Sequence, residues 1–351
     1  MGIKFKDLFI DYREPVNLAQ MKGEVLGIDV YVQLYQMLAR IRRVEDGGGS
    51  FSHGDTVTSH LIGLFNRSVY MLENGLKLVG VFDGPPPDFK QATLAERSAR
   101  KKEAVEKREA ALEAKDMEGA AKYAQQTVSI TDEIVADTKR LFDLLGIPYV
   151  TARHDAEAQV AVMTSNGLLD AAASQDYDTF LFGSPRVIRN LTVSQQRRRG
   201  GKTVTVVPEQ FHLKTILDGL NLTREQLILV GMWVGTDFNN SVKGIGPKKA
   251  LKLVQDHPTL AETLAVLETE HATEERPMDY YFPTDPQVVF DYFVNPPTEP
   301  VTKDDLKYGR LDKKGLVEFL VDDRGFSKDR VESRIQKLVG QQRQKSLSSF
   351  F

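Results

Sequence analysis

Leu78-Val79-Gly80-Val81-Phe82-Asp83-Gly84-Pro85 is an apolar run that stops abruptly at an acid and a turn. A continuous apolar run, without polar alternation, is the mark of a strand covered on both faces. Val25-Leu26-Gly27-Ile28 ends the same way, at Asp29. Pro148 to Val150 and Ala171 to Ala173 are two further short runs of this kind. Helical periodicities separate them, at Tyr31–Ile41, Thr56–Leu72, Ile134–Leu145 and Asp155–Ser165. Strands alternating with helices predict an α/β fold, with a mainly parallel central sheet and helices on both faces.

Outward from this core, Thr93 to Thr127 is rich in Ala, Glu, Lys and Arg. The spacing predicts helix interrupted near Gly119, with too little apolar surface to bury a broad face. Thr203–Val207 reads as a strand. Thr223 opens a helix with a capping box to Gln226, and Pro247 suits the first turn of a helix running to about Gln255. Glu268–Leu311 is turn-rich in proline, and Val317–Leu338 reads as helix.

The chain has 351 residues, 41% of them hydrophobic, enough for a large core. It lacks cysteine, which excludes disulfides and cysteine-ligated zinc and fits an intracellular protein. No apolar run approaches the roughly 20 residues that span a bilayer, and the start does not read as a signal peptide. Net charge is -3, but cations cluster. Arg186, Arg189, Arg197, Arg198, Arg199 and Lys202 lie in an acid-free stretch, as do Lys243, Lys248, Lys249 and Lys252. Local fields of this kind steer polyanions, and solvated surface faces would account for them equally well.

Asp29, Asp83, Asp176 and Asp178 sit at or just past strand ends, where open α/β sheets gather their sites. Asp155 and Glu157 open a helix, and Asp237 follows another. Asp155 could simply favour a helix N-terminus. Asp176 and Asp178, read as extended chain, would point the same way. Seven gathered carboxylates repel one another, and hard divalent cations with oxygen preference relieve that. Magnesium suits such a set, and two ions can serve phosphodiester hydrolysis.

At these residues the chain resembles the flap endonuclease family of structure-specific 5′ nucleases, from Met1-Gly2-Ile3 to Phe351. The carrying motifs are Val81-Phe82-Asp83-Gly84-Pro85, Asp155-Ala156-Glu157-Ala158-Gln159, Ser174-Gln175-Asp176-Tyr177-Asp178, and Gly235-Thr236-Asp237 through Gly244-Ile245-Gly246-Pro247-Lys248-Lys249. The resemblance implies a PIN-like nuclease fold with a helical gateway and cap at 93–127 and a helix–three-turn–helix element at about 223–256. It assigns Asp29, Asp83, Asp155, Glu157, Asp176, Asp178 and Asp237 to two Mg2+ ions, which Mn2+ can replace. Lys90 and Arg97 would face the scissile phosphate, and Tyr35 would stack on a base. Gly244, Gly246, Lys248 and Lys249 would meet DNA phosphates, with a K+ ion in that element. Arg186 and Arg189 are further DNA-binding candidates from the basic stretch. Asp155 stands where relatives usually carry Glu, and Pro85 where many carry Lys.

The C-terminal Gln344-Lys345-Ser346-Leu347-Ser348-Ser349-Phe350-Phe351 matches a sliding-clamp-binding pattern. One helical turn brings Leu347, Phe350 and Phe351 to one face, with Gln344 as polar anchor. The expected organisation is a single nuclease domain over 1–340, with halves 1–92 and 128–340 around the 93–127 insertion. A flexible tail over 341–351 would bind a PCNA-type clamp. Expectations follow of a monomeric, archaeal-type cytoplasmic protein without nuclear targeting or a membrane partner. It would cut branched DNA carrying a 5′ flap. Alternatives are a bubble or junction nuclease of the same superfamily, an RNA nuclease on a related fold, and a non-catalytic clamp-tethered adaptor.

Overall fold

The computed structural model describes residues 3–40, 42–43, 49–191, 196–199 and 202–348, without the side chains of 40–49, 91–97, 196–205 and 341–348. Among the described residues, seven strands form one sheet. Across it the order is Glu14–Pro15, Glu209–His212, Arg186–Arg189, Ala171–Ala173, Val25–Asp29, Lys77–Phe82 and Tyr149–Thr151. The last five pair in parallel, while Glu209–His212 runs antiparallel to both of its neighbours. This is the expected mainly parallel α/β sheet.

Alternate residues of each strand enter opposite cores, as the two-residue period requires. Leu26, Ile28, Leu78 and Phe82 pack with Leu34, Phe65, Leu141 and Phe142 on one face. Val79, Val81, Ala172 and Val187 pack with Val160, Phe180 and Val230 on the other. The helices Val30–Arg40, Ser59–Glu73 and Asp132–Leu145 serve the first core, and Ala156–Ser165 and Arg224–Val234 the second. Thr131 caps the Asp132–Leu145 helix through the Ile134 N–H, and left-handed Gly146 ends it.

Several expectations shift. Thr56 and Val57 pair with Ser52 and His53 across a turn at Gly54, so that helix begins at Ser59. A β-branched run after a glycine turn favours the hairpin. The 93–127 segment folds as Gln91–Glu113 and Met117–Ala124, broken at Lys115 and Asp116 rather than at Gly119. Asp116 caps the second helix by accepting from the Gly119 N–H at 2.8 Å, and a Cβ on Gly119 would lie 2.0 Å from that carboxylate. Gly119 therefore makes room for a cap. The expected strand near Thr203 is Lys202–Thr205, paired with Gln196–Arg199 outside the central sheet.

The turn-rich 268–311 segment contains a helix Pro286–Val294, with Pro286 in its first turn and Asp285 as cap. Near the C-terminus, Lys313–Val317 and a wider turn Glu318–Asp323 precede left-handed Gly325 and a long helix Lys328–Ser348. That helix continues past 340 because no proline or αL glycine stops it, so the expected flexible tail begins as helix. Among the described residues no helix is long and apolar enough to cross a membrane.

Gly84 fixes the corner after the Lys77–Phe82 strand. Its N–H donates to the His154 carbonyl at 2.7 Å, bringing Asp83 beside the start of the Ala156–Ser165 helix. A Cβ there would meet the Ala152 and Arg153 carbonyl oxygens at 2.2 and 2.5 Å. Backbone oxygens cannot swing aside as a side chain can, so Gly84→Ala is expected to cost about 1–3 kcal/mol, read from urea unfolding of the metal-free protein.

Candidate functional site

The acids converge on the carboxyl edge of the parallel strands, and backbone N–H groups hold three of them, Asp29, Asp83 and Asp178. Asp29 ends its strand, 6% exposed, and accepts the Val32 N–H at 2.9 Å in the first turn of the next helix. Asp83 accepts the Ala156 N–H at 2.7 Å, at the start of the Ala156–Ser165 helix. The free N–H groups of a helix start welcome a carboxylate. Asp178 is 7% exposed and accepts the Ile3 N–H at 2.6 Å, which ties the N-terminal segment to the site. Asp176 and Asp178 do not lie on extended chain. Asp178 opens a short helix Asp178–Leu181, and the Asp176 N–H donates to Ser174 Oγ at 3.0 Å. Asp237 sits in a turn where Thr236 Oγ1 accepts from the Phe238 N–H at 3.0 Å and Thr236 also hydrogen-bonds Asn239.

Asp155 is not a helix cap: its side chain makes no capping hydrogen bond. One oxygen instead takes Lys90 Nζ at 2.5 Å, and the other takes the Tyr292 hydroxyl. Glu157 keeps a buried Oε1 without a hydrogen-bond partner.

Electrostatics show how close these groups are. Burial pushes Asp29 well above the usual carboxylate range, and Asp83, Asp176 and Asp155 add repulsion. Burial raises Asp83 to about 6, with the Ala156 N–H and Lys90 opposing and Asp155 and Asp237 adding. Burial drives Glu157 well up, followed by the charges of Asp178, Asp29, Asp176 and Asp237. Burial raises Asp176, with Asp237 adding. Asp178 rises to about 7 through burial, against the Ile3 N–H and reinforced by Asp237 and Asp176. Burial works against the charge of Lys90, but Asp155, Asp237 and Asp83 outweigh it and raise its pKa. All seven acids therefore share one field.

This donor set fits hard divalent cations: it is carboxylate oxygen throughout, buried or half-buried, mutually repelling, and carries an unpartnered oxygen on Glu157. Among the described residues no three acidic or imidazole groups close on one point as a direct metal cage. Few direct ligands with water completing the shell is the habit of magnesium.

Other expected residues divide. Tyr35 is not a core residue, since 39% of it is exposed. Lys248 and Lys249 are exposed beside Gly244 and Gly246 on the loop that precedes the Pro247–Asp256 helix. Gly244 has φ +79°, which favours glycine, and Cβ atoms on Gly244 or Gly246 would meet nothing within 4 Å. The backbone there is open to a ligand. Lys249 Nζ donates to the Gly244 carbonyl at 3.0 Å.

Arg186 and Arg189, the DNA-binding candidates of the basic stretch, both have partners within the fold. Arg186 pairs with Glu24 at 2.8 Å and donates to Gln210 Oε1. Arg189 donates to the Gln175 carbonyl and the Tyr177 hydroxyl and stacks 3.9 Å over the Tyr177 ring. Glu24 reaches Arg186 from remote sequence and Glu209 lies 3.8 Å from Arg189 on the neighbouring strand, so both cations brace the sheet. The side chains of Arg97, Arg197, Arg198, Arg199, Lys202, Gln344 and Leu347, and all of Phe350 and Phe351, lie outside the described residues.

Sequence reading missed Tyr292, hidden in a segment taken for turns; the Pro286 helix start was its one available signal. It also missed a groove of about 800 Å3 in which Arg324, Arg330 and Lys337 face Phe51, His53 and Asn66 from a distant part of the chain.

An XPG N-terminal domain model matches residues 1–104, and an XPG I-region model matches 146–237. The chain is 42% identical over 351 residues to Flap endonuclease 1 of Methanoregula boonei, covering 100% of each. The solved flap endonuclease-1 from Methanococcus jannaschii aligns at TM-score 0.69 and 34% identity, over 96% of this chain and 98% of that one. The catalytic core of Rad2 in complex with DNA substrate aligns at TM-score 0.71 over 96% and 100%, and at 22% identity it speaks for the fold alone.

Asp178 gives a pH test. Its folded pKa of about 7 lies above the usual 3.8. Its contribution to stability is full below 3.8 and is lost as pH rises through about 7. Asp178→Asn keeps an oxygen for Ile3 but cannot ionise. Without divalent cation the variant should melt higher than the parent at pH 8, and the gap should close towards pH 4. Thermal melts across that range check this.

Proposed function

The chain belongs to the flap endonuclease family and is a structure-specific 5′ flap nuclease that depends on metal, and on that premise we propose how its residues divide the work. Asp29, Asp83, Asp155, Glu157, Asp176, Asp178 and Asp237 serve two magnesium ions, some through water. Manganese is an acceptable substitute. Bound there, the ions supply Lewis-acid stabilisation and a water of lowered pKa. The observation that carries this reading is the buried, unpartnered Glu157 oxygen inside the field of Asp29, Asp176, Asp178 and Asp237.

The protein's own groups do the rest. Lys90, 9% exposed and held by Asp155, aims a fixed positive charge at the scissile phosphate, with Arg97 as its companion. Tyr35 offers an exposed ring on which a base stacks. Water's oxygen joins phosphorus, the P–O3′ bond breaks, and the products are a 5′-phosphate and a 3′-hydroxyl. The open backbone at Gly244 and Gly246, with Lys248 and Lys249, holds duplex phosphates and a K+ ion. The helices Gln91–Glu113 and Met117–Ala124 form the gateway that receives the single strand.

Residues 1–340 act as one nuclease domain. Gln344, Leu347, Phe350 and Phe351 dock on a PCNA-type sliding clamp. The enzyme works as a monomer in the cytoplasm, in Okazaki fragment maturation and base excision repair, with 5′–3′ exonuclease activity besides.

Cleavage of matched flap, bubble, gap and single-stranded DNA, with and without magnesium, tests the assignment. Flap cleavage that needs magnesium and exceeds the others is expected; equal cutting of bubbles would favour the junction nuclease. Lys90→Ala should lower single-turnover cleavage about 10²–10³-fold while flap affinity changes little. Deleting 344–351 should weaken clamp binding and spare clamp-free cleavage, measured by surface plasmon resonance and gel assay; unchanged clamp affinity would refute the tail.

A further inference from the structure

We infer that Tyr292 is a positioning residue of the nuclease centre: its hydroxyl fixes Asp155, so that Asp155 holds Lys90 against the carboxylate cluster. Both Asp155 oxygens are committed, Oδ1 to Lys90 Nζ at 2.5 Å and Oδ2 to the Tyr292 hydroxyl. Asp155 stands at a helix start yet its side chain gives nothing to capping, so among the described residues these two bonds set its direction. A carboxylate with one bond can swivel about its χ angles; one with a bond to each oxygen cannot.

The tyrosine itself is locked. It is 6% exposed, and its ring meets Phe89, Phe182 and Phe238 edge-on, at centroid distances of 5.1, 6.0 and 5.1 Å. Phe238 lies next to Asp237, and its ring also faces Lys90 Nζ at 5.0 Å. Phe89 adjoins Lys90, and its carbonyl accepts Thr284 Oγ1 at 3.0 Å, which clamps the segment before the Pro286–Val294 helix onto the Asp88–Lys90 turn. One aromatic cluster therefore grips the tyrosine, the lysine turn and the Asp237 turn together. A hydroxyl on a rigid ring is well suited to hold a short acid in place. Tyr292 touches no reacting atom; it acts through Asp155 and Lys90.

This inference rests on the proposed reading of Lys90 as the phosphate-facing cation. Tyr292→Phe removes one oxygen and keeps the ring in its cage. In a double-mutant cycle with Asp155→Asn, on urea unfolding of the metal-free protein, the pair should couple by about ten-fold in the unfolding constant, as hydrogen bonds to charged groups do. Additive effects would overturn the contact. In flap cleavage with magnesium, Tyr292→Phe should lower kcat about ten-fold with KM unchanged, and lower it no further in an Asp155→Asn background. Unchanged kcat, or an equal loss in both backgrounds, would overturn the positioning role. Should Lys90→Ala cleave at the full rate, the site reading fails instead, and the metal-free cycle still reports on Tyr292 and Asp155.

Discussion

Like charges held out of water govern this protein. Two unit charges about 4 Å apart repel by on the order of 4 kcal/mol at the effective dielectric of a protein edge. Asp29, Asp83, Glu157, Asp176 and Asp178 all feel such neighbours, and burial adds to every one of them. A fold can carry that load only with compensating dipoles. Here they are backbone N–H groups at Val32, Ala156 and Ile3, each aimed at one carboxylate. They lower the cost of the acids without removing it, and the residue of repulsion is what divalent cations relieve.

Parallel topology makes the gathering possible. Strands that run in one direction end on one edge, so a short acid after each strand arrives at the same place. Gly84 then lets the chain turn against the 152–154 backbone, which no larger residue allows. On the opposite flank the aromatic cluster of Phe89, Phe238 and Tyr292 closes the site and keeps one lysine inside an otherwise anionic pocket. The same two cores that bury the sheet therefore also aim the chemistry.

Differences from the sequence reading have specific causes. Gly119 looked like a helix breaker, but the break lies upstream, where Asp116 caps the next turn. Thr56 and Val57 carried helical spacing, and a tight turn beside them won them for a hairpin. Arg186 and Arg189 looked like a basic face; Glu24, Gln210, Gln175 and Tyr177 occupy them instead. Charge density along a chain says nothing of which acids fold onto it.

What the sequence settled unaided was whatever depends on neighbours in the chain. The apolar runs, the cap at Thr223, the Pro247 helix start and the acids at strand ends are all written locally, and so was the α/β class. Tertiary structure decided the partners. Ile3 reaches Asp178 across 175 residues, and Tyr292 reaches Asp155 across 137. The groove between Phe51 and Lys337 likewise joins distant segments. Hydrogen bonds and ion pairs act over a few ångströms of space, and spacing along the chain carries no record of contacts made only once the sheet has closed.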